Sequence, residues 1–120
     1  MSGHLLPDGR NGAVRGIAAP VELEDVPADD TVSGSPRQGV AELGAVGGAE
    51  TGIWELRGGA VTDTEVDELF VVLSGGATIE LLDEDRTVEV GPGDVMRLVA
   101  GTRTRWTVED HIRKVYISAA

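Results

Sequence analysis

Cysteine is absent from the 120 residues, so neither a disulfide framework nor a thiolate nucleophile is available, and the redox compartment is left open. Aromatic residues are scarce at 3%, and the core must be built from Val, Leu, Ile and Ala, which in valine-rich runs favour strands. Positive charge is also short: 10 basic against 21 acidic residues give a formal net charge of -11, spread along the chain. Nucleic acid and anionic membranes are thereby excluded as expected partners, because binding them rests on neutralising phosphate. No apolar run is long enough to span a bilayer, and the opening MSGHLLPDGRNG lacks the apolar core of a signal peptide, so a cytoplasmic location is expected. Internal repeats, low-complexity segments, a P-loop, a dinucleotide fingerprint and a serine-triad arrangement are all missing. Gly91-Pro92-Gly93 is a turn, with glycines that serve backbone geometry.

What is present centres on Asp67 to Gly101. Four short apolar segments, Glu68 to Leu73, Ala77 to Leu82, Arg86 to Val90 and Asp94 to Val99, are divided by Ser74-Gly75-Gly76, Asp83-Glu84-Asp85 and Gly91-Pro92-Gly93. Even spacing with Gly- and Pro-bearing turns points to an all-β antiparallel sandwich or barrel. The length suits one domain with a single core.

Two of these turns carry a family frame. Glu68-Leu69-Phe70-Val71-Val72-Leu73-Ser74-Gly75 fits the tail of the first cupin motif, G-x5-H-x-H-x3,4-E-x6-G. Gly93-Asp94-Val95-Met96-Arg97-Leu98-Val99-Ala100-Gly101 keeps both glycines of the second, G-x5-P-x-G-x2-H-x3-N. The chain resembles a cupin, and within that superfamily the small single-domain cupins of the ureidoglycine aminohydrolase and ethanolamine-utilisation types. Gly52-Ile53-Trp54-Glu55, Asp67-Glu68, Gly91-Pro92-Gly93-Asp94, Trp106 and Arg113-Lys114-Val115-Tyr116 carry the likeness, over roughly Thr51 to Ser118. The resemblance implies a double-stranded β-helix, the jelly-roll barrel, paired as a homodimer. It also implies a divalent metal held by three histidines and a glutamate. Here Glu68 takes the glutamate's place, but the histidine positions fall on Thr62 and Thr64, or on Val61 and Asp63 with the longer spacing. In the second motif Val99 replaces the proline, Thr104 the histidine and Val108 the asparagine. A lone carboxylate with threonines is a poor substitute for imidazoles, so no cofactor and no metal ligand are assigned.

Along the remaining chain, residues 1–12 carry the turn signals Pro7, Asp8-Gly9 and Asn11-Gly12 and are expected to be a flexible tail ahead of a single domain, 13–120. Val21-Glu22-Leu23-Glu24 alternates as a half-exposed strand, expected either to cross a neighbouring subunit's sheet or to close the edge of its own barrel. Pro27 to Gly39 reads as a loop, as do Gly58-Gly59 and Thr62 to Asp67. Val40 to Leu43 begins another strand, and Thr51 to Arg57 is expected to point Trp54 inward. Thr102 to Val108 alternates Thr104, Trp106 and Val108 against Arg103, Arg105 and Thr107, which sends Thr104 and Trp106 into the barrel. The chain ends in a strand from Ile112 to Ser118, with His111 in the preceding turn on the surface.

Glu68 is the leading candidate for chemistry, on the strand face of Phe70 and Val72, where desolvation would suit it to general acid or base work. The alternative is a relic held by Thr62, Thr64 or Thr104 hydroxyls or by Lys114. Asp63, Glu65, Asp67 and Glu68 form an acidic cluster that reads as a solvated loop and leaves a hard divalent ion on oxygen ligands as the open alternative. Arg97 either faces inward, where it needs Glu68 or an anionic ligand as partner, or faces water. Lys114 and Tyr116 share a face of the last strand. With Trp54, Thr62, Thr64, Glu68, Arg97, Thr104 and Trp106 they compose the candidate ligand pocket. The expected function is metal-independent small-molecule binding. The alternatives are an enzyme of the aminohydrolase or isomerase kind using Glu68 as acid or base, and a structural or regulatory protein with a filled barrel.

Overall fold

The computed structural model describes residues 3–119 and contains nine strands, one 3-10 turn and, among those residues, no α-helix. The strands are β1 (Glu24–Asp25), β2 (Thr31–Val46), β3 (Ala49–Thr64), β4 (Glu68–Gly75), β5 (Ala77–Leu81), β6 (Arg86–Val90), β7 (Val95–Leu98), β8 (Arg103–Thr107) and β9 (His111–Ala119), with the 3-10 turn at Ala28–Asp30. All pairings are antiparallel, in the order β6-β5-β8-β3-β9-β4-β7, with β2 laid along β3. Together they make a nearly closed barrel.

β3 is the corner that closes it. Its first part, Ala49 to Arg57, pairs with β9, and its last, Ala60 to Thr64, pairs with β8. Between them Gly58 adopts φ 83°, a left-handed conformation that only glycine takes at no steric cost, and such a kink lets one strand serve two sheets. The β2–β3 hairpin passes through three bulges, one of them between Gly34, at φ 74°, and Arg37.

The main core lies inside the barrel, where Leu56, Val61, Phe70, Val72, Ile79, Leu98, Trp106 and Ile112 are buried together. On β4, β5 and β8 these positions alternate with more exposed ones, as a sheet with one buried face requires. A second, smaller cluster forms outside, where Ala19, Leu43 and Ile53 are buried with Leu6, Val21 and Val115 against them.

The four central strands, β8 and β9 fall within a residue or two of the sequence expectation, but three other stretches differ. The expected loop of residues 27–39 is mostly β2, and the expected loop at 58–67 is largely the end of β3. Glycine and proline there mark bulges inside a long hairpin, whose backbone groups still find ladder partners. The segment before β1 is also attached to its own sheet. Leu5 and Leu6 donate backbone hydrogen bonds to the carbonyls of Glu42 and Leu43 at 3.0 and 2.7 Å, so the described part of the expected tail runs beside β2. Of the alternating stretch Val21 to Glu24 only Glu24 pairs as a strand, together with Asp25 after it. Among the described residues no helix is long and apolar enough to cross a membrane.

Candidate functional site

The barrel encloses an open cavity of about 340 Å³, lined by residues of β2, β3, β4, β8 and β9 and by the loop after β3. A cavity of that size suits a small molecule rather than a filled interior. Its floor is a buried ion pair: Lys114 Nζ donates to Glu68 Oε2 at 2.6 Å. The register explains the meeting, since Val72 of β4 stands opposite Lys114 and Glu68 opposite Ser118, so the long lysine side chain reaches along the face to Glu68. Three aromatic rings hold the ammonium. Nζ lies 4.8 Å from the Trp54 ring centre, 4.5 Å from Phe70 and 4.8 Å from Trp106, and each ring face favours a cation electrostatically. Trp54 and Trp106 meet edge to face at 5.3 Å. Tyr116 lies across Gly52, its cross-strand neighbour; a Cβ at Gly52 would overlap the phenol ring, so glycine there makes room for Tyr116 at the cavity wall. Burial, then the charges of Glu42, Glu68 and Glu50, push the tyrosine hydroxyl above its ordinary value, which keeps it a neutral donor.

Glu65 forms the opposite side. It is 8% exposed, and its Oε2 accepts hydrogen bonds from Thr104 Oγ1 at 2.6 Å and Trp106 Nε1 at 3.0 Å. Its backbone is pinned as well, by Glu65 N–H to the Thr102 carbonyl at 2.8 Å and Gly101 N–H to the Glu65 carbonyl at 2.9 Å. Beside it at the mouth, Asp63 is pushed up to about 6 by burial first and then by the Glu65 charge.

The structure brings Trp54, Thr62, Thr64, Glu68, Trp106, Lys114 and Tyr116 to the cavity lining. Thr104 is fully buried behind the lining, where it serves Glu65. Arg97 is elsewhere: it is exposed, opposite Leu69, while the next residue, Leu98, turns inward opposite Glu68. Pairing of the two apolar faces against different neighbours decides this, and a lysine already holds Glu68, so no buried partner is left for the guanidinium. Glu65 was missed. Read as part of a solvated acidic loop, it is instead the acceptor that the inward-facing Thr104 hydroxyl and Trp106 indole N–H require, and the demand of a buried indole for a partner is the signal that could have found it.

The donor set does not fit the metal that a cupin frame implies. The glutamate of the frame carries an ammonium, none of the histidine positions holds a histidine on either spacing, and among the described residues no three His, Asp or Glu side chains converge to hold an ion. A second polar chain lies outside the cavity. Ser74 Oγ is 3.0 Å from His111 Nε2, and His111 Nδ1 is 2.5 Å from Asp110 Oδ2. The order of atoms is that of a serine triad, contrary to the sequence expectation of none, but the aspartate side chain is 80% exposed and none of the three residues lines the cavity.

The model of the EutQ-like cupin domain matches residues 43–116, which span β3 to β8 and most of β9. The chain belongs to the EutQ-like cupin family. Solved structures share the fold at low identity. The EutQ protein of Clostridium difficile is 19% identical with a TM-score of 0.63, covering 80% of each chain. A putative ethanolamine utilization protein Q from Salmonella typhimurium is 16% identical at 0.59, covering 83% of this chain and 95% of the other. Ectoine synthase from P. lautus is 15% identical at 0.60, covering 79% and 67%. No curated protein sequence matches. At these identities the likeness establishes the cupin fold, which elsewhere carries many unrelated functions.

Proposed function

We propose that this EutQ-like cupin binds a small organic molecule in the barrel cavity without a metal. The observation that carries the reading is the Lys114–Glu68 contact of 2.6 Å at the cavity floor. A lysine ammonium supplies, as part of the chain, the positive charge that a cation would otherwise bring to the glutamate. The cavity above it stays open and combines aromatic surface from Trp54 and Trp106 with polar atoms from Gln38, Tyr116 and Ser118, the mixture typical of small-molecule sites. The same contact argues against Glu68 as a general acid or base, since its Oε2 is already engaged by the Lys114 ammonium at the cavity floor.

The protein is further proposed to pair as a homodimer through the outer face of β7, β4 and β9, where Leu69 and Ile117 are exposed as cross-strand partners and Val95, opposite Val71, is exposed on the same face. Sedimentation of the wild type against Leu69→Glu checks this.

The metal-free reading is tested by elemental analysis of untagged protein purified without chelator, beside Glu68→Ala. Less than a tenth of an equivalent of any divalent metal, on the order of a trace contaminant, is the expected result for a site without imidazole ligands. A stoichiometric metal lost in the variant would restore a metalloprotein built on Glu68.

A further inference from the structure

The geometry points to a cationic organic ligand for the cavity, an ammonium- or amidinium-bearing molecule whose charged end meets Glu65 and Asp63 while its apolar body lies against Trp54. The inference rests on the small-molecule reading above and adds the sign of the ligand's charge.

The cavity has a deficit of positive charge. Asp30, Asp63, Glu65 and Glu68 line it against Lys114 alone, and Lys114 is committed to Glu68 and to three aromatic rings. Glu65 is the telling member. A buried carboxylate ordinarily has a cationic partner, because hydrogen bonds from neutral donors do not cancel its charge. Here both donors are neutral, Thr104 and Trp106, and they occupy Oε2 only. Among the described residues no lysine, arginine or histidine pairs with Glu65 or Asp63, although ten such pairs occur elsewhere in the molecule. Oε1 is not sealed off either: among the described residues the one fully enclosed side-chain polar atom without a partner is Arg105 Nε, and Glu65 itself lines the cavity.

The rest of the lining argues for an organic cation rather than a bare ion. Val26, Val40, Trp54 and Val66 surround the carboxylates with apolar surface, and the acids do not converge as an ion's ligands would. A half-buried Trp54, already beside one ammonium at 4.8 Å, offers remaining surface to a hydrocarbon body. An anionic ligand is disfavoured by the same arrangement, because Lys114 is neutralised by Glu68 and no second cation lines the cavity. The overall charge of -11 further steers cations inward.

Both tryptophans of the chain line the cavity, so their emission reports occupancy directly. Three probes of one shape separate the charges: cyclohexylmethylammonium, cyclohexylmethanol and cyclohexanecarboxylate, with calcium as a fourth. The expected result is a saturable emission change with the ammonium at a concentration about tenfold or more below the other probes, a difference of about 1.4 kcal/mol. Glu65→Gln should remove that preference. Asp63→Asn, at the exposed mouth, should reduce it even where the Glu65 variant fails to fold. Equal or tighter binding of the alcohol or carboxylate overturns the assignment of charge and leaves the organic-ligand reading standing. Calcium displacing the ammonium at lower concentration overturns the organic cation in favour of an ion site. No emission change with any probe overturns both readings.

Discussion

Arg113 and Lys114 are neighbours on β9 and point to opposite faces of the sheet, and each is a buried cation on a glutamate. Outside the barrel, Arg113 Nε donates to Glu55 Oε1 at 2.8 Å, and Nη1 donates to the carbonyls of Gly16 and Ala19 at 2.8 and 2.7 Å. Arg57 adds a second guanidinium on Glu55 Oε2 at 2.6 Å. Burial works to raise Glu55, but the hydrogen bonds and charges of the two arginines prevail and hold it below the ordinary carboxylate range. Inside, the ratio is reversed, with one lysine among four carboxylates. The outer site is a finished structure, in which Glu55 is met by two arginines and the turn at residues 15–19 is fastened down. The inner face is charge-deficient and opens on a void. Two arrangements of similar chemistry, one residue apart, thus separate a closed structural joint from an open cavity.

The inner pair is the more severe one to break. Lys114→Met leaves Glu68 buried without its cation, and loss of one partner of such a pair costs about 3–5 kcal/mol. Urea unfolding should show it. The double variant Lys114→Met with Glu68→Leu should recover most of the loss, because desolvation of two ions is removed together with their attraction. A double variant no more stable than the single one would mean that the lysine acts through its three ring contacts rather than through Glu68.

On the outer face, Arg113→Ala should cost less, about 2 kcal/mol for charged hydrogen bonds of this kind, because Arg57 remains on Glu55. Its larger effect is local. Without the bonds to Gly16 and Ala19 the preceding segment loosens, and limited trypsin treatment should cut at Arg15 faster than in the wild type while the barrel stays whole. Unchanged cleavage would show that Leu6, Ala19 and Val21 hold the segment by apolar contact alone.

The geometry of the cavity wall gives a smaller and more selective test. Gly52→Ala places a methyl where the Tyr116 ring lies and forces that ring toward the cavity. Stability should fall by only about 1–2 kcal/mol for such overpacking, whereas the emission response to a cavity ligand should be lost or shifted several-fold. Binding unaltered in the variant would take Tyr116 out of the wall.

How much of this was legible in the sequence follows the same division. Strands β4 to β9 announce themselves by alternation and by turns of Gly, Pro and Asp, and the inward faces of Glu68, Trp106 and Lys114 follow from period two. The β2–β3 hairpin does not. Gly34, Pro36 and Gly58-Gly59 are loop signals by composition, and only pairing across 16-residue strands with bulges absorbs them. Glu65 was hidden for a different reason: its neighbours in sequence are acids and threonines, while the groups that make it a buried acceptor, Thr104 and Trp106, lie 39 and 41 residues on. Glu55, likewise, reads as the exposed member of an alternating strand until the chain before β1 covers that face.

The smallest predicted effect tests the charge deficit itself. Glu55 and Asp63 should respond to pH with opposite signs. Glu55, held low in the folded state, stabilises the fold above the ordinary carboxylate range, and that contribution is lost on acidification. Asp63 has its folded value raised from 3.8 to about 6, so the folded state binds the proton more tightly than the unfolded one. Stability from this group is therefore greatest below about pH 4 and declines as pH rises toward about 6. Asp63→Asn removes the penalty, and because the carboxylate sits at a solvent-reached mouth the gain should stay below about 1 kcal/mol. The variant should exceed the wild type in urea midpoint at pH 7 and converge with it near pH 4. A saturating organic cation should close the same gap from the other side, by giving Asp63 and Glu65 the positive charge that the chain does not supply. A difference between the two proteins that stays constant across this range would show that neither burial nor the Glu65 charge raises Asp63 in the folded state, and would remove Asp63 from the charge deficit of the cavity.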